Sequence, residues 1–334
     1  MNARQPVEGG AFPRLLADVG GTNVRFATQL RPQGPLLHRA GYACADFETF
    51  WDAICHHQWR LGLAAPQACA IGIATAITGD HVRMTNHHWS FSIRGLKQAL
   101  KLERLLVLND FSALALALPA LTEADCWRVG GGAAVAGAPI ALLGPGTGLG
   151  VSGLVPAVCG AGLVPIGGEG GHVSLASFEP EEAAVLQLLR REFGHVSAER
   201  ALSGPGLENL YRALAEVRGL GRRAQEAAAI SAAALAGSDA LSEAALALFC
   251  GLLGEVAGNL ALTLGARGGL YIGGGIVPRL GDWFGRSPFR ARFEAKGRFT
   301  SYLQAIPTLV VRSGEEAALL GASRALDAAS LSSC

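Results

Sequence analysis

Twice along this chain an apolar run breaks into a glycine-rich bend and turns straight back as a strand. Residues 14–18 lead into Gly20 and Gly21, and residues 140–143 lead into Gly144-Pro145-Gly146-Thr147-Gly148. A bend that short fixes its flanking strands as an antiparallel hairpin wherever it falls. Aligning Gly21 and Thr22 with Gly146 and Thr147 makes the chain read as one motif built twice, although two short glycine hairpins also match by chance. A third bend, Gly273-Gly274-Gly275, follows a short apolar strand over residues 270–272.

Glycine after a strand leaves backbone N–H groups unshielded and able to point at phosphate oxygens. In Asp18-Val19-Gly20-Gly21-Thr22-Asn23 a hydroxyl and a carboxylate stand beside such groups, and Asp18 is placed to hold hydrated magnesium. A single bend is equally well a tight hairpin without a ligand. Three of them weaken that reading. The P-loop is excluded, because none of the three lysines, Lys97, Lys101 and Lys296, follows a glycine. A dinucleotide fold needs its glycines between strand and helix, whereas Gly146-Thr147-Gly148-Leu149-Gly150 runs into a strand. The catalytic H-R-D segment of protein kinases is absent as well.

With 334 residues, 50% of them apolar and 16% charged, the chain is long enough for two lobes and too apolar for disorder. A net charge of +1 gives no basic excess for nucleic acid or an anionic membrane surface. Small neutral or anionic ligands fit that balance. Seven scattered cysteines, Cys44, Cys55, Cys69, Cys126, Cys159, Cys250 and Cys334, form no C-x-x-C pair or zinc-spaced cluster, so a reduced, cytoplasmic protein without structural zinc is expected. Residues 1–13 read as a loose extension without a secretory signal. The apolar stretch over residues 244–264 is interrupted by Glu255 and Asn259 and carries Gly251, Gly254 and Gly258 at helical spacing, which predicts a buried helix rather than a membrane span.

Periodicity predicts strands over 24–30, 36–44, 68–76, 104–108, 149–155 and 308–312. It predicts helices over 47–61, 111–118, 179–193, 204–218, 223–236, 240–265 and 315–326, one more opening at Ser92 as N-cap. The first lobe is therefore a mixed α/β domain, residues 14–120 with 314–330, and the second, residues 121–313, a larger and more helical one, joined by short crossings near 111–121 and 313–316.

Three groups of polar residues stand out. Asn109 and Asp110 end a strand between Leu108 and Phe111, either as a helix cap or at the strand end where ligands gather in open α/β sheets. Gly167-Gly168-Glu169-Gly170-Gly171-His172 sets an acid and an imidazole three apart amid glycine that packing does not readily explain; a metal bound there would need further ligands. Glu199 follows Ser197 near a helix start, where capping is the simpler account. Thr85, Asn86 and Trp89 add donors and an aromatic that also reads as core. Groups that both donate and accept hydrogen bonds suit a polyhydroxylated ligand.

Eight segments in order, DVGGTN at 18, TGDHVRMTNHHWSFSI at 78, LNDF at 108, GPGTGLGV at 144, GEGGHVS at 168, SAERALSGPGLENLY at 197, GGLYIGGGIVPR at 268 and FEAKGRF at 293, together resemble the bacterial glucokinase family of the hexokinase, actin and Hsp70-like ATPases. The likeness covers residues 14–325. It implies a two-lobed actin-like ATPase (ribonuclease H-like) α/β fold with a cleft between the lobes, and transfer of the terminal phosphoryl group of ATP to the 6-hydroxyl of glucose, the entry step of glycolysis. On this resemblance Asn109, Asp110, Glu169, His172 and Glu199 bind glucose, and Asp110 is the catalytic base facing the 6-hydroxyl. Ala17, Asp18, Val19, Gly20, Gly21, Thr22, Gly144, Gly146 and Thr147 would hold the phosphates of ATP with Mg2+ near Asp18. Gly273, Gly274, Gly275 and Ile276 would lie near the adenosine. A homodimer is implied too. Ala76 departs from the family pattern, which has proline before the Ile-Thr-Gly-Asp turn. The cysteine motif of the zinc-binding repressor and kinase branch is missing after His172, which favours the zinc-free branch. A sugar-sensing regulator and an ATPase of the chaperone or filament kind are the rival readings; no helix-turn-helix segment is seen for the first, and the second needs no sugar pocket.

Overall fold

The computed structural model describes residues 11–85, 87–157, 162–221 and 223–331. Residues 1–10 of the expected extension, Asn86, Cys159 and Cys334 lie outside the described residues. The chain divides into two compact units, one running to Leu121 and resuming at Glu315, the other Thr122–Gly314.

In the first unit the initial apolar run and its return form strands β1 (Arg14–Val19) and β2 (Asn23–Gln29), followed by β3 (Leu37–Ala43), β4 (Ala68–Ile73), a small hairpin of β5 (His81–Arg83) and β6 (Ser90–Ser92), and β7 (Arg104–Asn109). The sheet order is β3-β2-β1-β4-β7, antiparallel up to β1 and parallel from β1 to β7. Successive side chains of a strand face opposite ways. Accordingly Leu15, Ala17 and Val19 pack with Phe26, Phe50 and Trp89 on one face, while Leu16 packs with Leu319 and Leu326 of the helix Gly314–Leu331 on the other. Burial on both faces is why β1 and β4 read as apolar runs rather than alternations. That last helix crosses the helix Asp110–Ala117 so closely that a Cβ on Gly321 would stand 1.7 Å from the Ala113 carbonyl oxygen.

The second unit repeats the plan. Strands β8 (Cys126–Gly130), β9 (Ile140–Pro145), β10 (Leu149–Pro156), β11 (Leu163–Pro165), β12 (Leu270–Ile272) and β13 (Thr308–Val311) form a sheet in the order β11-β10-β9-β12-β13-β8. Leaving out β8, each strand has a counterpart of the same order and sense in the first sheet: β9 and β10 antiparallel like β1 and β2, β12 and β13 parallel like β4 and β7. The sequence repeat of two hairpins is thus a repeat of five strands. Most of the added mass is the helices Pro180–Phe193, Gly204–Val217, Ala227–Ala236 and Ala240–Leu264.

Ala240–Leu264 is the one helix among the described residues long and apolar enough to cross a membrane. Here its glycines serve packing. A Cβ on Gly254 would lie 2.2 Å from the Phe289 carbonyl oxygen, and one on Gly258 2.7 Å from that of Phe293, so the helix Phe289–Glu294 lies directly on its backbone. The two polar interruptions noted in its sequence, Glu255 and Asn259, both accept from Lys296 Nζ, the asparagine at 2.7 Å.

Several boundaries differ from the sequence reading. The strand expected over 68–76 ends at Ile73, level with the ends of β1 at Val19 and β7 at Asn109, with one last bond from Ala74 N–H to the Val19 carbonyl. Ala76 follows in an exposed loop. The helix expected from residue 47 starts at Phe50, set by a capping box in which Thr49 and Asp52 satisfy each other's N–H groups. Trp89 is core, its Nε1 donating to the Phe47 carbonyl at 3.2 Å. Cys44, Cys55, Cys69, Cys126 and Cys250 are free thiols.

One buried group makes the first unit sensitive to acid. His57 is fully buried, stacked on Phe26 at 4.9 Å, with Nδ1 3.2 Å from the Tyr42 hydroxyl and a buried Nε2 without a partner. Burial, with His38 and His56 nearby adding repulsion, lowers its pKa to about 4. The unfolded chain titrates near 6.5 and therefore binds the extra proton first as pH falls. Stability is full above that value and is lost between the two. A loss of about 1–3 kcal/mol between pH 7 and pH 4.5 is expected from this group. Urea unfolding of the wild type and of His57→Leu at both values checks it; equal pH slopes would remove His57 as the cause.

Candidate functional site

At the end of the first sheet Val19 of β1, Ile73 of β4 and Asn109 of β7 stand in register across three adjacent strands. Strand spacing places the outer two about 10 Å apart. The bend Gly20-Gly21-Thr22 and the pair Asn109 and Asp110 therefore leave the sheet at one edge, the carboxyl ends of parallel strands where α/β folds gather ligands. Gly72 of β4 makes room beneath them, for a Cβ there would meet the Ala113 Cβ at 3.1 Å and the Asp110 Cα at 3.6 Å.

The cap and the carboxylate are separate residues. Asn109 is the N-cap of Asp110–Ala117, its Oδ1 accepting from the N–H groups of Phe111 at 3.0 Å and Ser112 at 3.3 Å. Asp110 is the first helical residue and is partly exposed, its Oδ1 accepting from Phe111 N–H at 2.9 Å. The capping account thus belongs to Asn109. Its Oδ1 is occupied, and its amide nitrogen is the group turned to donation.

In the bend itself the Gly20 N–H donates to the Asn23 carbonyl at 2.9 Å, and the Cys44 N–H to the Thr22 carbonyl at 2.8 Å. The N–H groups of Gly21 and Thr22 take no part in these bonds. Thr22 is exposed, and Asp18 lies across from Arg25 on β2, 3.5 Å from its Nη1. Ala17 and Val19, expected at the nucleotide, send their side chains into the core, and the Val19 carbonyl accepts from Ala74 N–H at 2.9 Å. Of the residues expected at this bend, Asp18 carries the carboxylate, and it faces the Arg25 guanidinium. Among the described residues no three His, Cys, Asp or Glu side chains come together as a metal cluster.

In the second unit the other expected residues collect around the turn between β9 and β10. The Gly146 N–H donates to the Gly148 carbonyl, the Gly204 N–H to the Gly146 carbonyl, both at 2.8 Å, and the Ile276 N–H to the Pro145 carbonyl at 3.3 Å. Thr147 is exposed at the tip, and the N–H groups of Thr147 and Gly148 take no part in these bonds. The bend after β12 interlocks with this turn: a Cβ on Gly144 would lie 2.5 Å from the Gly273 carbonyl carbon, and one on Gly274 2.3 Å from the Pro145 oxygen. Gly275 beside them is open.

Glu169 caps and His172 ends the short 3-10 turn Gly170–His172, their side chains half exposed with Oε2 and Nε2 3.9 Å apart. The two glycines between them are packing requirements. A Cβ on Gly171 would lie 2.1 Å from the Leu149 carbonyl oxygen, and one on Gly170 2.7 Å from the Val151 side chain, so this turn lies flat on β10. Of the four glycines in residues 167–171, only Gly167 and Gly168 have open space around them.

Glu199 sits in the first turn of the short 3-10 helix Ala198–Arg200, near a helix start as expected, although its N-cap Ser197 makes no side-chain capping bond; the long helix begins at Gly204, with Ser203 Oγ accepting from Gly206 N–H at 3.0 Å. The carboxylate of Glu199 instead reaches β10, where Oε2 accepts from Leu149 N–H at 2.8 Å. No local pattern announces a contact between residues fifty apart. Other residues outside the sequence reading are Gly204, which holds Gly146, and Cys44, whose thiol lies 3.5 Å from the Gly20 oxygen and is pushed up in pKa by burial.

A family model described as glucokinase matches residues 15–329. The glucokinase of Aromatoleum aromaticum is 54% identical over 317 residues, 95% of each chain. The chain also matches a bifunctional protein of Burkholderia thailandensis, 52% identical over 316 residues, spanning 94% of this chain and 48% of that one, so it covers about half of that relative. Among solved structures a glucokinase from an Antarctic psychrotroph superposes with a TM-score of 0.86 at 37% identity, over 94% of this chain and 98% of that one. The α/β fold expected from the sequence is the fold of that enzyme.

Proposed function

The chain belongs to the glucokinase family, ATP-dependent kinases of glucose, and we propose that Asp110 accepts the proton of the 6-hydroxyl as that oxygen attacks the terminal phosphorus of ATP. The observation that carries this reading is the shared sheet edge: Asp110 leaves β7 in register with the strand that ends in the Gly20-Gly21-Thr22 bend. Phosphoryl transfer has a loose transition state with charge spread over the transferred oxygens, so alignment and charge neutralisation matter most. The backbone N–H groups of the two threonine-bearing bends supply donors for that charge. Asp110 takes the proton late, so its position counts for more than its basicity.

Asn109, Glu169, His172 and Glu199 join Asp110 in holding the sugar hydroxyls, while Gly273, Gly274, Gly275 and Ile276 lie against the adenosine. Asp18 is suited to hold Mg2+ through water, because that ion retains much of its hydration and takes its other oxygens from phosphate. Bound there, the ion would neutralise phosphate charge. The enzyme works in the cytoplasm at the entry to glycolysis, as a homodimer without structural zinc.

ADP release measured with and without glucose, over a panel of hexoses, tests the reading. Glucose-dependent release supports it. Release without sugar would favour an ATPase of the chaperone or filament kind, and none at all a sugar-sensing regulator. Glu169→Gln is expected to raise the glucose KM about 10- to 100-fold with little change in kcat, since a hydrogen bond to a charged group contributes about 1.5–3 kcal/mol. An unchanged KM in steady-state assays would take Glu169 out of the sugar site.

A further inference from the structure

Three bonds from outside hold the turn between β9 and β10. Two are backbone bonds, from Gly204 to Gly146 and from Ile276 to Pro145; the third runs from Leu149 N–H to Glu199 Oε2. The carboxylate is seated against the turn, for a Cβ on Gly148 would stand 2.5 Å from the same Oε2. Its base is fixed as well. The Glu199 carbonyl accepts from Ser203 Oγ at 2.9 Å, and Ser203 caps the helix Gly204–Val217 whose first N–H holds Gly146. One short segment, residues 199–204, thus grips the turn from both sides, with a charged acceptor on one of them.

We propose that Glu199 is a positioning residue for the nucleotide: through Leu149 N–H its Oε2 presets the turn so that the N–H groups of Thr147 and Gly148 face a phosphate before any sugar is bound. The role is separate from contact with a hydroxyl, for which Oε1 remains. It rests on the reading of this turn as a phosphate site, and it makes nucleotide affinity depend on a residue otherwise assigned to the sugar. Preorganised donors bind more tightly because no ordering is left to complete on binding.

The test is calorimetric titration of a non-hydrolysable ATP analogue with Mg2+, without sugar, into the full chain and three variants. Glu199→Ala removes the acceptor and is expected to weaken nucleotide binding about tenfold. Glu199→Gln keeps an oxygen for Leu149 N–H and is expected to stay within about twofold of wild type, although its sugar affinity falls. Gly146→Ala reports on the turn itself, since its Cβ has open space in the fold and would obstruct only a ligand. Weak binding by Glu199→Ala, rescued in Glu199→Gln, with an unchanged far-UV spectrum, establishes the positioning role. If Glu199→Ala binds nucleotide like wild type while Gly146→Ala does not, Glu199 serves the sugar alone and the proposal falls. If Gly146→Ala is also without effect, the turn is not the phosphate site and the underlying reading fails too.

Discussion

Asp110→Asn is expected to lower kcat by about two to four orders of magnitude while glucose affinity stays within a few-fold of wild type. The local backbone bond survives the substitution. Asp110 Oδ1 accepts from Phe111 N–H in the first turn of its helix, and an asparagine oxygen can accept the same bond. The cap that holds the turn belongs to Asn109 and is untouched. What the variant loses is a group able to receive a proton from the sugar. A well-placed proton acceptor contributes on this scale when the attacking oxygen must shed its proton as the new bond forms. Single-turnover kinetics with glucose, alongside sugar binding measured directly, separate the two effects. Near-normal turnover would refute Asp110 as the base, and a matching loss of sugar affinity would make it a binding residue only.

The strands were legible because the sheets are buried on both faces: continuous apolar runs at β1, β4 and β9 mark them even without alternation. The glycine bends were legible for the same reason, as interruptions of those runs. The short helices Val277–Leu280, Asp282–Arg286, Phe289–Glu294 and Thr300–Gln304 escaped, since four to six residues do not complete enough turns to show a period. Strand β8 escaped as well. Among the described residues it is an edge strand, and its partner β13 lies far along the chain.

At the site the sequence showed which residues were unusual but not what each one touches. Glu169, His172 and Glu199 stand out by type, yet nothing near Glu199 in sequence beyond a helix start signals that its carboxylate accepts from Leu149 N–H. Gly170 and Gly171 looked like a way of baring side chains, whereas their reason is the strand they lie on. Ser203, the true cap, sits only six residues beyond Ser197, and both are followed by helical signals. Local pattern fixes the type of element well and the partner of a side chain poorly, because the partner is a property of the fold.

Gly274→Ala is the second substitution with a large expected effect. Gly274 has φ +75°, and a Cβ there would lie 2.3 Å from the Pro145 oxygen and 2.9 Å from the Gly144 carbonyl carbon. Neither neighbour is the end of a flexible side chain that can swing away. A left-handed backbone costs an L-residue roughly 1–2 kcal/mol, and forcing an extra methyl into a packed contact typically costs about 1–3 kcal/mol. The sum, about 2–5 kcal/mol, should appear as a lower urea midpoint with an unchanged m-value. The displaced atoms belong to the β9–β10 turn, so nucleotide KM should rise with the loss of stability. Gly275→Ala is the control: its Cβ has open space and its backbone needs no left-handed residue, so its midpoint should stay close to wild type. Equal midpoints for the two variants would mean that the bends are not interlocked as described. A lower midpoint for Gly274→Ala with nucleotide KM unchanged would mean that the interlock supports the fold but does not hold the turn for phosphate.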